Sequence, residues 1–279
     1  METIRYRHVW GMNTIDATTV DRVAEEGWDG IEAGVGWLTK LDPEVKHIAE
    51  RGLELVAQVY TVREADAPDP VTAHLDAMRQ QLETALPYQP KLVNVHTGED
   101  SWSHAEMIRF FEGALAMSRE LGLNVAYETH RSRCLFHPRI TMDILRELPE
   151  LQITADLSHF TCVCERVAEI DSYGLIDLLA QYTAYVHCRV GHSQGPQVSD
   201  PRIAQWAETR TVFESWWVRL AKGMQARGLA FSYCPEFGPP PYLPLAPETG
   251  KPVADLEEIV LWQRSRIDSL IQTLDESPL

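Results

Sequence analysis

Asn124–His130 reads NVAYETH. Val125 and Tyr127 alternate with Ala126 and Glu128, the pattern of a short strand with one apolar face and a carboxylate near the end of the other. Upstream, His104–Leu121 has helical spacing and stops at Gly122, a favoured helix terminator. Downstream, Arg139–Leu148 is again helical in pattern. The same strand-then-helix unit recurs in both directions. Further strands are read at His8–Met12, Gly30–Val35, Leu53–Thr61, Leu92–Thr97, Gln152–Ser158, Ala184–Val190 and Phe231–Phe237, each short, rich in Val, Ile, Tyr or Phe, and bounded by turn residues. Helices are read at Thr18–Glu26, Asp42–Arg51, Pro70–Leu86, Val167–Gln181, Phe213–Arg227 and Asp255–Leu274. In the Phe213 helix, Phe213, Trp216, Trp217, Leu220 and Met224 recur at helical spacing, which marks a buried stripe.

Eight alternations of strand and helix imply an α/β chain with a parallel sheet. Eight units favour closure, so the expected fold is a (β/α)8 TIM barrel, one domain over residues 1–279; such barrels need roughly 250 residues. No GxGxxG or P-loop follows the first strand, which removes the main signatures of an open sheet. The longest irregular stretches, His192–Asp200 and Gly238–Lys251, follow strands, on the face where barrel enzymes place their active-site loops.

The formal net charge of −16 repels polyanions and attracts cations, and no basic footprint for nucleic acid is visible. No apolar run approaches the roughly 20 residues of a membrane span. METIRYRHVW lacks the apolar core of a signal peptide, so a cytoplasmic location is expected. The five cysteines are odd in number and match no zinc-finger spacing; they are read as reduced, mostly buried thiols.

Strand parity then exposes a group of polar residues on the wrong face. If Ile31, Ala33, Val93, Val95, Val125, Tyr127, Ile153, Ala155, Val186 and Tyr233 face the helices, the barrel interior receives Glu32, Asn94, His96, Glu128, Asp156, His187, Arg189 and Glu236. Buried carboxylates are costly unless paired or metal-bound. Strands five to eight each supply one good ligand: Glu128, Asp156, His187 and Glu236. Three oxygens and one imidazole suit one divalent cation, with Mn2+ or Mg2+ fitting best and Co2+ or Zn2+ also compatible. The competing reading is a buried salt-bridge network centred on Arg189. Glu32 reads equally well as a structural hydrogen bonder. Trp10 and Trp37, after the first two strands, read as sugar-stacking or as packing residues. Arg131 and Arg133 read as surface charges or as holders of a phosphate or carboxylate.

VAYETH around Glu128, ITADLSH around Asp156 and His159, YVHCR around His187, CPEFGP around Glu236, GWDGIEAG around Glu32 and NVHTG around His96 together resemble the xylose isomerase-like TIM barrels. The resemblance spans nearly the whole chain. It implies a metal held by Glu128, Asp156, His187 and Glu236, proton transfer by Glu128 and Glu236, and substrate contacts from His159, with His96, Glu32, Arg189, Arg202 and Trp10 as further candidates. It also implies a small sugar-like substrate and a homodimer or homotetramer. The stretch HCRVGHSQGPQVSDPR departs from the epimerase pattern: Arg189 comes sooner than the usual substrate-binding arginine, and Arg202 much later. Asp200 matches an extra zinc ligand of the nuclease branch, but Arg202 replaces its histidine and Tyr60 ends the third strand, so a trinuclear zinc site is not expected; Asp200 reads equally as a turn residue. The expected activity is metal-dependent isomerisation or epimerisation of a ketose through an enediolate. A dehydratase using the same enediolate is the nearest alternative, followed by a phosphodiesterase and a non-catalytic sugar binder.

Overall fold

In the computed structural model, which describes residues 1–12, 15–40, 42–62 and 67–276, eight parallel strands close in sequence order into a barrel. They are β1 (Thr3–His8), β2 (Gly30–Gly34), β3 (Glu54–Tyr60), β4 (Leu92–His96), β5 (Val125–Glu128), β6 (Ile153–Ala155), β7 (Thr183–His187) and β8 (Phe231–Cys234). Closure is made by β1 on β8, with Thr3 opposite Phe231 and Arg5 opposite Tyr233. The expected (β/α)8 TIM barrel is therefore the fold. Among the described residues, no helix is long and apolar enough to cross a membrane.

The alternation in the strands builds two cores. Ile31, Ala33, Val93, Val95, Val125, Tyr127, Ile153, Ala155, Val186 and Tyr233 all pack outward against the helices. The Phe213 helix, which begins earlier than expected and runs Ala207–Ala226, buries its aromatic stripe in the same layer. The inward residues Tyr6, Val56, Leu92, Ala126, Tyr185 and Cys234 plug the lower barrel with a separate apolar cluster. Gly30 permits that plug: a Cβ there would lie 2.5 Å from Tyr6 Cε1 and 2.6 Å from the Glu54 carbonyl oxygen. Above this floor the inward positions turn polar, so the chemistry is confined to the C-terminal rim.

Several element boundaries differ from the sequence reading. The first strand is Thr3–His8, not His8–Met12. Its alternation is masked because the outward residues are charged: Arg5 pairs with Asp268 at 2.9 Å, and the buried Arg7 pairs with Glu257 at 2.6 Å. The strands β5 to β8 end sooner than read. The amides of Arg189 and Glu236 turn back onto the carbonyls of His187 and Cys234, at 3.1 and 2.9 Å, and so leave the ladder. Asp156 is the N-cap of an unforeseen helix, Leu157–Val163. The Val167–Gln181 helix is broken at Gly174, whose φ of +66° separates a 3-10 turn from the helix Leu175–Leu179.

Candidate metal centre

Glu128, Asp156, His187 and Glu236 project from the upper ends of β5 to β8 and are all buried. Ligand atoms of Asp156, His187 and Glu236 lie within 4.8 Å of one another, as do those of Glu128, Asp156 and His159. His187 Nδ1 is 3.1 Å from Glu236 Oε2 and 3.8 Å from Glu128 Oε2. Parity thus brings the four residues to one end of the barrel, in two overlapping groups that share Asp156.

Glu32 orients the histidine. Its two oxygens lie 3.1 and 3.0 Å from His187 Nε2, and it accepts a further bond from the Tyr185 hydroxyl at 2.8 Å. With Nε2 turned to Glu32, Nδ1 is the nitrogen that faces Glu128 and Glu236. A carboxylate behind a ligating histidine is the usual support of a metal site. Glu32 is fully buried and does not line the cavity; its partners are His187, Tyr185 and Asn94. Glu32→Gln is expected to weaken Mn2+ binding by about 10- to 100-fold, measured by titration calorimetry; unchanged affinity would remove Glu32 from this role.

The site also fits a cation electrostatically. His187 Nδ1 and Glu236 Oε2 are buried and have no hydrogen-bond partner of good geometry, although they lie side by side. Burial opposes a charge on His187, yet the carboxylates of Glu32, Glu236 and Glu128 together raise its pKa well above the ordinary value. Burial likewise opposes ionisation of Glu128, but His96 and His187 hold its carboxyl well below the usual range. For Glu236, Arg189 and His187 outweigh burial in the same direction. Burial pushes the Asp156 carboxyl up, against the pull of Arg189. Negative charge is in excess at this point, and a hard divalent cation among three carboxylates and one imidazole would meet it. The salt-bridge network read as the competing possibility is present too: the Arg189 guanidinium donates to Asp156, and its Nη2 lies 3.5 Å from Glu236 Oε2. It covers one side of the cluster and leaves Nδ1 of His187 open.

Above the cluster lies a cavity of about 320 Å³, lined by Glu128, Glu236, His96, His130 and Arg189 with an aromatic wall of Trp10, Trp37, Tyr60 and Tyr242. Of the expected substrate contacts, His96, Arg189 and Trp10 line it. His96 Nε2 is 2.8 Å from Glu128 Oε2. Trp10 packs edge-on against Tyr242, with ring centroids 4.9 Å apart, and lies so close to Gly238 that a Cβ there would come within 2.3 Å of the indole. His159 and Arg202 do not line the cavity. His159 is buried behind Arg189, whose Nη2 is 2.7 Å from its Nε2, and burial holds it neutral. Arg202 turns away to Asp200 at 2.9 Å and Glu258 at 3.2 Å, because Asp200 caps the local turn through the Arg202 amide. The sequence reading missed His8, Gln58 and Tyr242. His8 ends β1, so placing that strand at Thr3–His8 would have pointed it inward. Gln58 and Tyr60 fall on the inward parity of β3 with Val56.

No protein-family model matches the chain, and no curated protein matches it. Solved structures do. A D-psicose 3-epimerase from Clostridium cellulolyticum H10, solved with D-tagatose, has a TM-score of 0.61 at 11% identity, covering 98% of this chain and 99% of that one. A xylose isomerase domain protein from Alicyclobacillus acidocaldarius has a TM-score of 0.60 at 14% identity, covering 97% and 98%. A probable 3-DHS dehydratase involved in petrobactin synthesis, from Bacillus anthracis, has a TM-score of 0.61 at 14% identity, covering 95% and 99%. The chain shares the closed (β/α)8 barrel fold with these proteins over almost its whole length.

Proposed function

We propose that this protein is a divalent-metal-dependent isomerase or epimerase of a small ketose or related hydroxy-ketone. One observation carries the reading: Glu128 and Glu236, both held ionised, border the same cavity and flank the same imidazole nitrogen, at 3.8 and 3.1 Å. Glu128, Asp156, His187 and Glu236 would hold the cation, with Mn2+ or Mg2+ preferred by the oxygen-rich set and Co2+ or Zn2+ compatible. When bound, the cation polarises the substrate carbonyl and acidifies the neighbouring carbon. One glutamate removes the proton from that carbon, leaving an enediolate. The other returns a proton, on the opposite face for epimerisation or at the adjacent carbon for isomerisation. Asn94 Nδ2 donates to Glu128 Oε2 at 2.6 Å and fixes the direction in which this carboxylate points. Arg189 presents its cation at the cavity wall, where it offsets the developing oxyanion. The aromatic wall excludes water and offers faces to the sugar carbons.

The test is exchange in deuterium oxide with Mn2+ present. A cognate ketose is expected to acquire deuterium at one carbon as product forms. A chain that binds the cation yet exchanges no proton of any ketose in a broad panel would refute the reading. A dehydratase is the second reading, favoured by the same barrel in the Bacillus anthracis protein. Expulsion of a β-hydroxyl from the enediolate would appear as loss of water from the labelled product.

A further inference from the structure

His8, the last residue of β1, lines the cavity beside Gln58, yet the proton transfers of Glu128 and Glu236 do not use it. Its ring is held in one orientation. The backbone amide of Trp10 donates to His8 Nδ1 at 2.8 Å. An amide N–H can only donate, so Nδ1 carries the lone pair and the ring proton sits on Nε2. Burial holds this imidazole neutral, against the carboxylates of Glu32 and Glu236. The main chain is pinned as well. Arg7 Nη1 donates to the His8 carbonyl oxygen at 2.7 Å, and Nη2 of the same arginine is tied to Glu257.

The Nε2–H group has only a weak acceptor. Gln58 Oε1 lies 3.3 Å away, beyond the usual N–H···O separation of about 2.9–3.0 Å. That oxygen already accepts a short bond from the Tyr60 hydroxyl. An under-used donor in a buried site bonds strongly to an oxygen that comes within reach. The place of the ring says which oxygen. His8 packs edge-on to His187, with ring centroids 6.3 Å apart, so its donor belongs to the end of the cavity that holds the candidate ligands.

We infer that His8 is a catalytic hydrogen-bond donor, whose Nε2–H meets the substrate oxygen that carries the charge of the enediolate. The inference rests on the ketose reading and adds a residue to it. His8 transfers no proton; Glu128 and Glu236 keep those steps. A neutral imidazole suits the role because its N–H is a feeble acid, which holds an enediolate oxygen without surrendering the proton to it. Arg189 lines the same cavity as a charge, and His8 adds a directed bond.

The test uses the full chain loaded with Mn2+ and the ketose that acquires deuterium in the exchange experiment. His8→Phe keeps a flat ring and removes the donor. It is expected to lower kcat by about 100- to 1,000-fold, the usual loss for one oxyanion donor, with little change in KM. His8→Asn keeps an acceptor for the Trp10 amide but cannot reach the Nε2 position; it should show the same loss, and it guards against misfolding of His8→Phe. His8→Gln, whose amide can reach that position, should recover about tenfold. Mn2+ affinity by titration calorimetry should stay at the wild-type value in all three variants, which a residue that only braces His187 would not allow. A kcat within about threefold of wild type in the Phe or Asn variant, no recovery with Gln, or Mn2+ affinity lost in step with turnover overturns the inference while the ketose reading stands. A readout independent of turnover is the affinity of acetohydroxamate, a planar chelating mimic of the enediolate, with Mg2+ bound. The wild type should bind it about tenfold more tightly than His8→Asn, and equal affinity overturns the inference. If no ketose exchanges, the ketose reading fails, and this affinity alone decides for His8.

Discussion

Glu236→Gln is expected to lower kcat by about a hundred- to ten-thousand-fold, the usual contribution of a positioned acid or base, and to leave the fold intact. The amide keeps the size and an oxygen that can face His187 Nδ1, but it cannot take up a proton. Arg189 loses a charge partner at 3.5 Å and keeps Asp156, so the melting temperature should move by only a few degrees. Glu128→Gln should behave alike, since its carboxylate is held by Asn94 and His96 from neighbouring positions that the amide also fills. The pair has a sharper signature than lost turnover. Each variant retains one carboxylate, so each should wash deuterium into one epimer of the substrate and not the other, with the two variants choosing opposite epimers. Equal exchange into both epimers by either variant would show that a single base serves both faces, and full turnover in both would end the assignment.

The second large effect concerns stability. Asp156→Ala is expected to destabilise the metal-free protein by about 3–5 kcal/mol, because it strands the buried guanidinium of Arg189. Loss of the N-cap of Leu157–Val163, where Asp156 Oδ1 accepts from the Ser158 amide at 2.9 Å, adds about 1 kcal/mol. Removing both charges should cost less than removing one, so Asp156→Ala with Arg189→Met is expected to regain much of the lost stability. Urea unfolding of the two variants checks this. A single variant as stable as the wild type, or a double variant no better than the single, would mean that Arg189 draws its compensation from Glu236 alone. Metal binding should be lost in both variants, which separates the ligand role of Asp156 from its ion-pair role.

The legible part of the site was that in which strand parity is carried by aliphatic residues. On β4 to β8, Val93, Val95, Val125, Ile153, Val186 and Tyr233 mark the helix-facing side, so the intervening polar residues could be assigned inward one by one. On β1 the outward positions are Arg5 and Arg7, and the periodicity of hydrophobicity disappears although the pleat does not. His8 was lost to view for that reason. Tyr242 lies in a loop, where no period exists to read.

On β2 and β4 to β8, which residues face the interior, and at which end of the barrel, followed from the chain alone, because the two-residue repeat of a strand is a local property. Which interior groups touch did not. Glu32 and His187 are 155 residues apart and meet because closure carries β2 and β7 to opposing walls of one narrow interior. Arg189 against Asp156, His159 behind both, and Arg202 turned away to Asp200 and Glu258 are outcomes of the same closure and of loop packing. Contact between distant side chains depends on the curvature of the sheet and the course of its loops, and neither is written in the spacing of residues along one strand.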